Sequence, residues 1–334
     1  MGFVFVFLGM AVLAIALILK GAFVFLPALV IFVVAPLLDR ALPLATTNER
    51  LPKATHALPF VFVPAHLAVL GWALVVLSTE NLLWWERVGL TIGTGFGTAL
   101  AINVAHELMH RPGRLEQALA SVLMLSASYP HFCIEHIYGH HKNVATPDDP
   151  ATSRLGESLY AFMPRTLAGS LRSAWRIEWA RVGFGLRNRM LAYFLLYVAT
   201  LAGIYRATGS LGVIIFLGQS VVAVLLLESI NYVEHYGLLR DVAASGRPER
   251  VKAHHSWNSP HRFSNWVLIN LARHSDHHAA ASRPFYALRH FDDVPQLPAS
   301  YPAMILIALV PPLWFRLMGP RVERARRIRA LPST

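Results

Sequence analysis

The sequence predicts an all-α, polytopic membrane protein whose polar segments carry a histidine-rich site for two metal ions. Three observations predict it. Hydrophobic residues fill 55% of the 334 positions, and the mean hydropathy is +0.45, above what soluble domains carry. Those residues fall in runs long enough to span a hydrocarbon layer. Between and after the runs stand three histidine sets: His106 with His110 in HELMH, His136 with His140 and His141 in EHIYGHH, and His274 with His277 and His278 in HSDHH.

The first two apolar runs, residues 3–19 and 23–38, are separated by Lys20 and Gly21, so they read as a tight helical hairpin. The opening has no basic segment and no small-residue cleavage site, and it is expected to stay as a helix. Its Val6 stands where myristoylation expects Ser or Thr. A polar linker, 39–56, leads to a third run at 58–77 and a fourth at 88–108. The fourth carries Gly89, Gly93, Gly95 and Gly97, a composition that lets neighbouring helices approach closely. The fifth and sixth runs are 191–205 and 211–230.

Segment 115–134 is apolar enough to be mistaken for a seventh crossing, and parity decides against it. With the amino terminus in the cytoplasm, four crossings return His110 to that side. One more would put HELMH and EHIYGHH in opposite compartments, unable to share a site. The segment is therefore expected to pack back on the bundle or lie at the interface. Residues 301–318 are broken by Pro311 and Pro312 and read as a peripheral or re-entrant piece. Residues 109–190 and 231–334 are then largely cytoplasmic or interfacial parts of one membrane-embedded domain.

Charge agrees with that topology. The net charge is +11, which in a soluble chain would point to nucleic acid. In a membrane chain the excess belongs in cytoplasmic loops. Arg40, Arg50 and Lys53 lie in the first such segment, and Arg111, Arg114, Lys142, Arg154, Arg165, Arg172, Arg176, Arg181, Arg187 and Arg189 in the second. The opposite-side connections hold only Lys20, Arg87 and Arg206. Arg321, Arg324, Arg326, Arg327 and Arg329 suit contact with anionic headgroups. No nucleic-acid partner is expected, and the expected location is a cell inner membrane with the site on its cytoplasmic side.

One cysteine, Cys133, excludes an intramolecular disulfide and a thiolate cluster, so nitrogen and oxygen must hold any metal. On a helix His106 and His110 share a face. His136 and His140 repeat the spacing with His141 on the adjacent face, as do His274 and His278 beside His277. His235, in YVEHYG after the sixth run, can enter the same layer. These nine imidazoles exceed the six ligands one metal takes, and so imply two metals. Imidazole suits iron, zinc, copper or nickel better than magnesium or calcium. Glu107, Glu135, Asp148, Asp149, Glu157, Glu228, Glu234 and Asp276 lie in the same motifs, where carboxylates commonly orient ligating histidines. Asp148 and Asp149 could equally serve a TPDDP turn.

HELMH also fits the zinc-protease pattern with Glu107 as base, but that reading leaves most of the histidines without a role. A histidine-rich metal transporter would need ligands along a path open to both compartments. His56, His66 and His290 stand alone and read as structural. His131 sits beside the middle set, and His254, His255 and His261 form a further local group that could bind metal or close the cytoplasmic mouth through Ser256 and Asn258.

The stretches NVAHELMHR, EHIYGHHKNVATPDDPATSRLGES, ESINYVEHYGLLR, HHSWNS and RHSDHH resemble the integral-membrane alkane 1-monooxygenases, a family that includes xylene monooxygenase and is distantly related to membrane fatty-acid desaturases. The likeness runs from about residue 30 to 325. It implies six membrane helices and a cytoplasmic di-iron site. It also implies O2-dependent hydroxylation of a terminal methyl group, with electrons from rubredoxin or ferredoxin and an NAD(P)H-dependent reductase. The family's ligands carry over to His106, His110, His136, His140, His141, His235, His274, His277 and His278. With a single cysteine in the chain, the donor is expected to be a separate protein. A fatty-acyl desaturase or hydroxylase is the alternative, but the HxxxHH middle motif and His235 in its own NYVEHYG motif favour hydrocarbon hydroxylation. The hydrophobic substrate is expected to enter from lipid through walls built by the second to fourth and sixth helices, with Trp72, Phe96, Leu100, Leu225 and Ile230 lining the path.

Overall fold

A computed structural model describes residues 2–48, 53–244 and 246–330; Arg50 lies outside them, and the side chain of Arg329 is not described. Among the described residues the regular elements are almost all helical, the exceptions being two isolated β-bridges. After a 3-10 turn at Gly2–Phe7, α1 runs Leu8–Leu19 and α2 spans Gly21–Ala41. These are followed by α3 at Leu58–Thr79, α4 at Trp84–Met109 and α5 at Arg114–Ser126. A composite helix, α6, occupies residues 132–143, and α7 is Leu159–Val182. The long α8 is Arg189–His235, α9 Arg262–Val267, α10 His274–Ala279, α11 Tyr301–Ala308 and α12 Pro311–Ala330.

Among the described residues, Gly21–Ala41, Thr55–Thr79, Trp84–Met109 and Arg189–His235 are long and apolar enough to cross a membrane, and Phe3–Leu19 is a shorter apolar helix. The chain is thus an all-α membrane-spanning bundle. Its α8 has 47 residues, roughly 70 Å of helix, about twice a hydrocarbon core. Gly209, at φ 70°, breaks it between the two apolar runs expected from sequence.

The central element is α4. A Cβ at Gly89 would come within 2.6 Å of Val24 Cγ2 in α2, and one at Gly95 within 2.7 Å of the Gln219 carbonyl oxygen in α8. The glycines therefore set how closely three helices approach. The doubtful segment 115–134 does not form one helix. Its α5 has 13 residues, about 20 Å long and short of a roughly 30 Å core. It ends in a turn with Ser128 at φ 56°. The Ser126 hydroxyl lies 3.1 Å from His66 Nε2, and its carbonyl accepts from Gln219 Nε2 at 2.8 Å, fastening the end of α5 to α3 and α8.

Outside the apolar layer, α7 is tied to the start of α8 by Glu178, which pairs with Arg181 at 2.7 Å and Arg189 at 2.6 Å. The stretch expected to break at Pro311 and Pro312 does so, with α11 and α12 on either side. Trp314, Met318 and Val322 of α12, four residues apart, are buried against the bundle.

Candidate metal centre

Four helix ends converge on one point. His106 lies in the last turn of α4, and His110 caps that helix. His235 is the final residue of α8. The short α10 is held in place by its own polar residues: Arg273 donates to the carbonyls of Leu288, Ala45 and Thr47, and Asp276 takes Arg283, the Arg289 guanidinium and the Arg289 backbone N–H. His274, His277 and His278 are thereby presented on a rigid turn.

The middle motif departs from the spacing argument. In α6, residues Phe132–Glu135 are α-helical, His136–His140 form a π-turn, and His141–Asn143 resume the α-helix. The backbone N–H of His141 bonds to the carbonyl of His136, so residues five apart stack where four would otherwise. Sequence spacing pairs His136 with His140; the structure pairs His136 with His141 and sends His140 to the other side. Single π-turns of this kind recur at functional sites.

The nine imidazoles form two sets, His106, His110, His136, His141 and His277 in one and His140, His235, His274 and His278 in the other. In the first set Nε2 atoms lie 3.0 Å apart for His106 and His277, 3.1 Å for His277 and His141, 3.0 Å for His141 and His136, and 3.2 Å for His136 and His110. In the second the separations are 3.3 Å for His140 and His278, 2.8 Å for His278 and His274, and 3.2 Å for His274 and His235. The sets adjoin, with the rings of His141 and His278 centred 4.6 Å apart.

Hydrogen bonds between rings cannot account for this pattern. A ring nitrogen carries either a proton or a lone pair in its plane, yet Nε2 of His277, His136 and His274 each meets two others. Two ligands at right angles on bonds of about 2.1 Å stand about 3 Å apart. The donor sets therefore fit two metal ions, one at the focus of each. Burial, then the charge of neighbouring rings, holds His110, His136, His141, His274, His277 and His278 well below the ordinary imidazole pKa. That direction favours the neutral imidazole, the form that ligates metal.

His140 differs. Burial opposes its charged form, but Asp149 lies 2.9 Å from its Nδ1 and carries its pKa above the ordinary value. Asp149 in turn accepts from the Thr152 hydroxyl at 2.5 Å and the Ala151 N–H at 3.1 Å. Asp149 fixes the tautomer that leaves His140 Nε2 free for metal, while Asp148 is exposed. The other carboxylates divide differently. Glu107 joins Arg111 to the Phe285 N–H, and Glu157 pairs with Arg165. Glu228 accepts from Tyr129, Thr166 and Asn231. Burial first, then Asp149, raises the Glu135 pKa.

The remaining histidines stay apart. His290 meets Asp292, and His261 meets Ser259. His131 meets Tyr129 edge to face, with ring centroids 4.2 Å apart. Glu249, His254 and His255 also cluster. There His255 Nδ1 accepts the Lys252 N–H and its Nε2 meets Glu249, whose other oxygen takes the Lys252 ammonium. Both nitrogens of His255 are thus engaged within this local group, which stands apart from the nine imidazoles.

An apolar cavity of about 140 Å³ leads to the imidazoles. Phe96, Leu100 and Ile230 line it as expected; Trp72 and Leu225 do not, and both are substantially exposed on outer faces. No α3 residue reaches the wall, which α1 supplies instead with Leu8, Gly9 and Val12. Hydropathy marks a helix as membrane-embedded but does not rank its neighbours, so this exchange was hidden in the sequence. The π-turn left one signal, Gly139, an unfavourable residue in a helix interior.

Helical membrane bundle and buried double imidazole set together define a histidine-rich dinuclear metal enzyme of the membrane. The fatty acid desaturase family model matches residues 81–308. The chain is 46% identical to alkane 1-monooxygenase 1 of Pseudomonas aeruginosa over 78% of its own length and 70% of the relative. It is 40% identical to alkane 1-monooxygenase 2 of that organism over 88% and 82%, and 41% identical to alkane 1-monooxygenase of Acinetobacter baylyi over 78% and 65%. The chain belongs to the alkane 1-monooxygenase family and is a non-haem di-iron monooxygenase, its two imidazole sets fitting two iron ions.

Proposed function

We propose that this chain hydroxylates the terminal methyl group of an alkane, or of a similar hydrophobic chain, to a primary alcohol. His106, His110, His136, His141 and His277 hold one iron, and His140, His235, His274 and His278 the other. The observation that carries this reading is the apolar cavity ending at His106, His136 and His274. Its apolar side chains bind a hydrocarbon by exclusion of water, and its imidazole end would bring that chain to the metals. Iron supplies the O2 chemistry needed to break an unactivated C–H bond. One oxygen atom enters the alcohol and the other leaves as water, which requires two electrons and two protons from outside the substrate.

Six crossings follow if α1, α2, α3, α4 and the two halves of α8 each traverse the bilayer. The excess of arginine and lysine after α4 supports a cytoplasmic site in the inner membrane, reached by rubredoxin or ferredoxin with an NAD(P)H-dependent reductase. Substrate enters from lipid. Residues 109–190 and 231–330 then form the cytoplasmic cover of a single membrane-embedded domain.

Purified protein, O2, a reconstituted electron chain and a panel of alkanes, alkylbenzenes and fatty acids test the proposal. A primary alcohol, with two irons per chain, is expected. An alkene product would turn the reading toward a desaturase, and one tightly bound zinc without O2 consumption would sink it.

A further inference from the structure

Glu234 occupies a place none of the other carboxylates does. It is buried, immediately precedes His235 on α8, and lines the cavity beside His274 and Tyr301. Asp149 reaches the far nitrogen of its histidine, Nδ1 of His140. Glu234 Oε2 lies 3.2 Å from His274 Nε2, the atom that also meets Nε2 of His235 and of His278. The carboxylate thus faces the side of the ring where the metal belongs, at the spacing that separates neighbouring ligands. Its other oxygen accepts from the Tyr301 hydroxyl at 2.6 Å, which fixes its direction. We propose that Glu234 places a carboxylate oxygen in the coordination sphere of the four-histidine iron, directly or across one water, and that Tyr301 is the residue positioning it.

This inference rests on the nine histidines being iron ligands. Two further observations support it. The sets are unequal, five nitrogens against four, and a donor at Glu234 makes them equal in number while leaving them different in kind. Charge points the same way. Two divalent ions on neutral imidazoles leave positive charge deep in an apolar bundle, costly unless a buried anion stands close. Asp149 answers it through His140, and Glu234 is the carboxylate that meets a ligand nitrogen on its metal-facing side.

Mössbauer spectra of the reduced, iron-57-loaded holoenzyme in detergent test this, with chelator-release kinetics recorded alongside. Wild type should give two quadrupole doublets of equal area. Glu234→Gln should shift one doublet only and speed release of one of the two irons at least tenfold. Tyr301→Phe, which removes a single hydroxyl and is mild to the fold, should shift that same doublet by a smaller amount. Spectra and release rates unchanged in both variants would overturn the role of Glu234 while leaving the histidine sites standing. A wild-type protein that does not bind two irons would overturn the histidine reading, and this inference with it.

Discussion

Asp149 orients His140 from behind, and by that contact alone it reaches the metal centre. Within the second set it is the only carboxylate on an Nδ1 among the described residues: the Nδ1 atoms of His235, His274 and His278 have no hydrogen-bond partner. Loss of such a contact typically weakens metal binding about 10–100-fold. Asp149→Asn should therefore weaken the hold on one iron and spare the other, read as iron per chain after timed dialysis against a chelator. Equal loss of both, or loss of neither, would contradict the partition of histidines. Glu178 gives a different kind of residue-scale test. Burial works against its charged form, but Arg181 and Arg189 hold its pKa down at about 2. A carboxylate depressed this way adds stability above its unfolded pKa, about 4.3, and loses it as pH falls through the folded value. The thermal-midpoint gap between wild type and Glu178→Gln should be full at neutral pH and close between about pH 4 and 2. At this scale the sequence revealed which nine histidines gather but not how they divide. His140 and His141 are adjacent, and only the π-turn sends them to different sets.

Helices were legible wherever burial in lipid sets the pattern, since a hydrocarbon core demands a long apolar run whatever the packing. The break in α8 at Gly209 falls between the two runs read from sequence, and the shortness of α5 follows from the need for His110 and His136 to meet. Backbone hydrogen-bond choice was not legible. The π-turns at Val30–Val34 and His136–His140 depend on neighbours that spacing alone cannot reveal. Close approach between helices was legible as glycine, and it can be tested. A Cβ at Gly95 would stand 2.5 Å from Val222 Cβ and 2.7 Å from the Gln219 carbonyl oxygen, so Gly95→Ala must push α4 and α8 apart. Overpacking of this size costs roughly 1–3 kcal/mol, and the thermal midpoint in detergent should fall. Gly203→Ala, also helical but with nothing within 4 Å, should leave it unchanged or raise it slightly. Equal effects from the two would mean that the contact does not hold these helices in place.

Across the whole molecule, the cavity joins the lipid-embedded helices to the metal centre, and its length along α4 sets a scale for the substrate. Gly93 lies thirteen residues before His106 on α4, about 20 Å along the axis. At roughly 1.2 Å per bond of extended chain, that distance accommodates about sixteen carbons. Gly97 lies nine residues before His106, about 14 Å away, or roughly eleven carbons at the same spacing. A Cβ there meets only Leu13 Cδ2, at an ordinary 3.6 Å, so a larger side chain can grow into the cavity without first displacing backbone. Gly97→Leu should therefore suppress turnover of chains longer than about eleven carbons and retain it for shorter ones, at unchanged iron content. Product profiles over alkanes of graded length measure this directly. A uniform fall across all lengths would mean that the substitution disturbs the metal centre, and an unchanged profile would place the substrate's path somewhere other than this cavity.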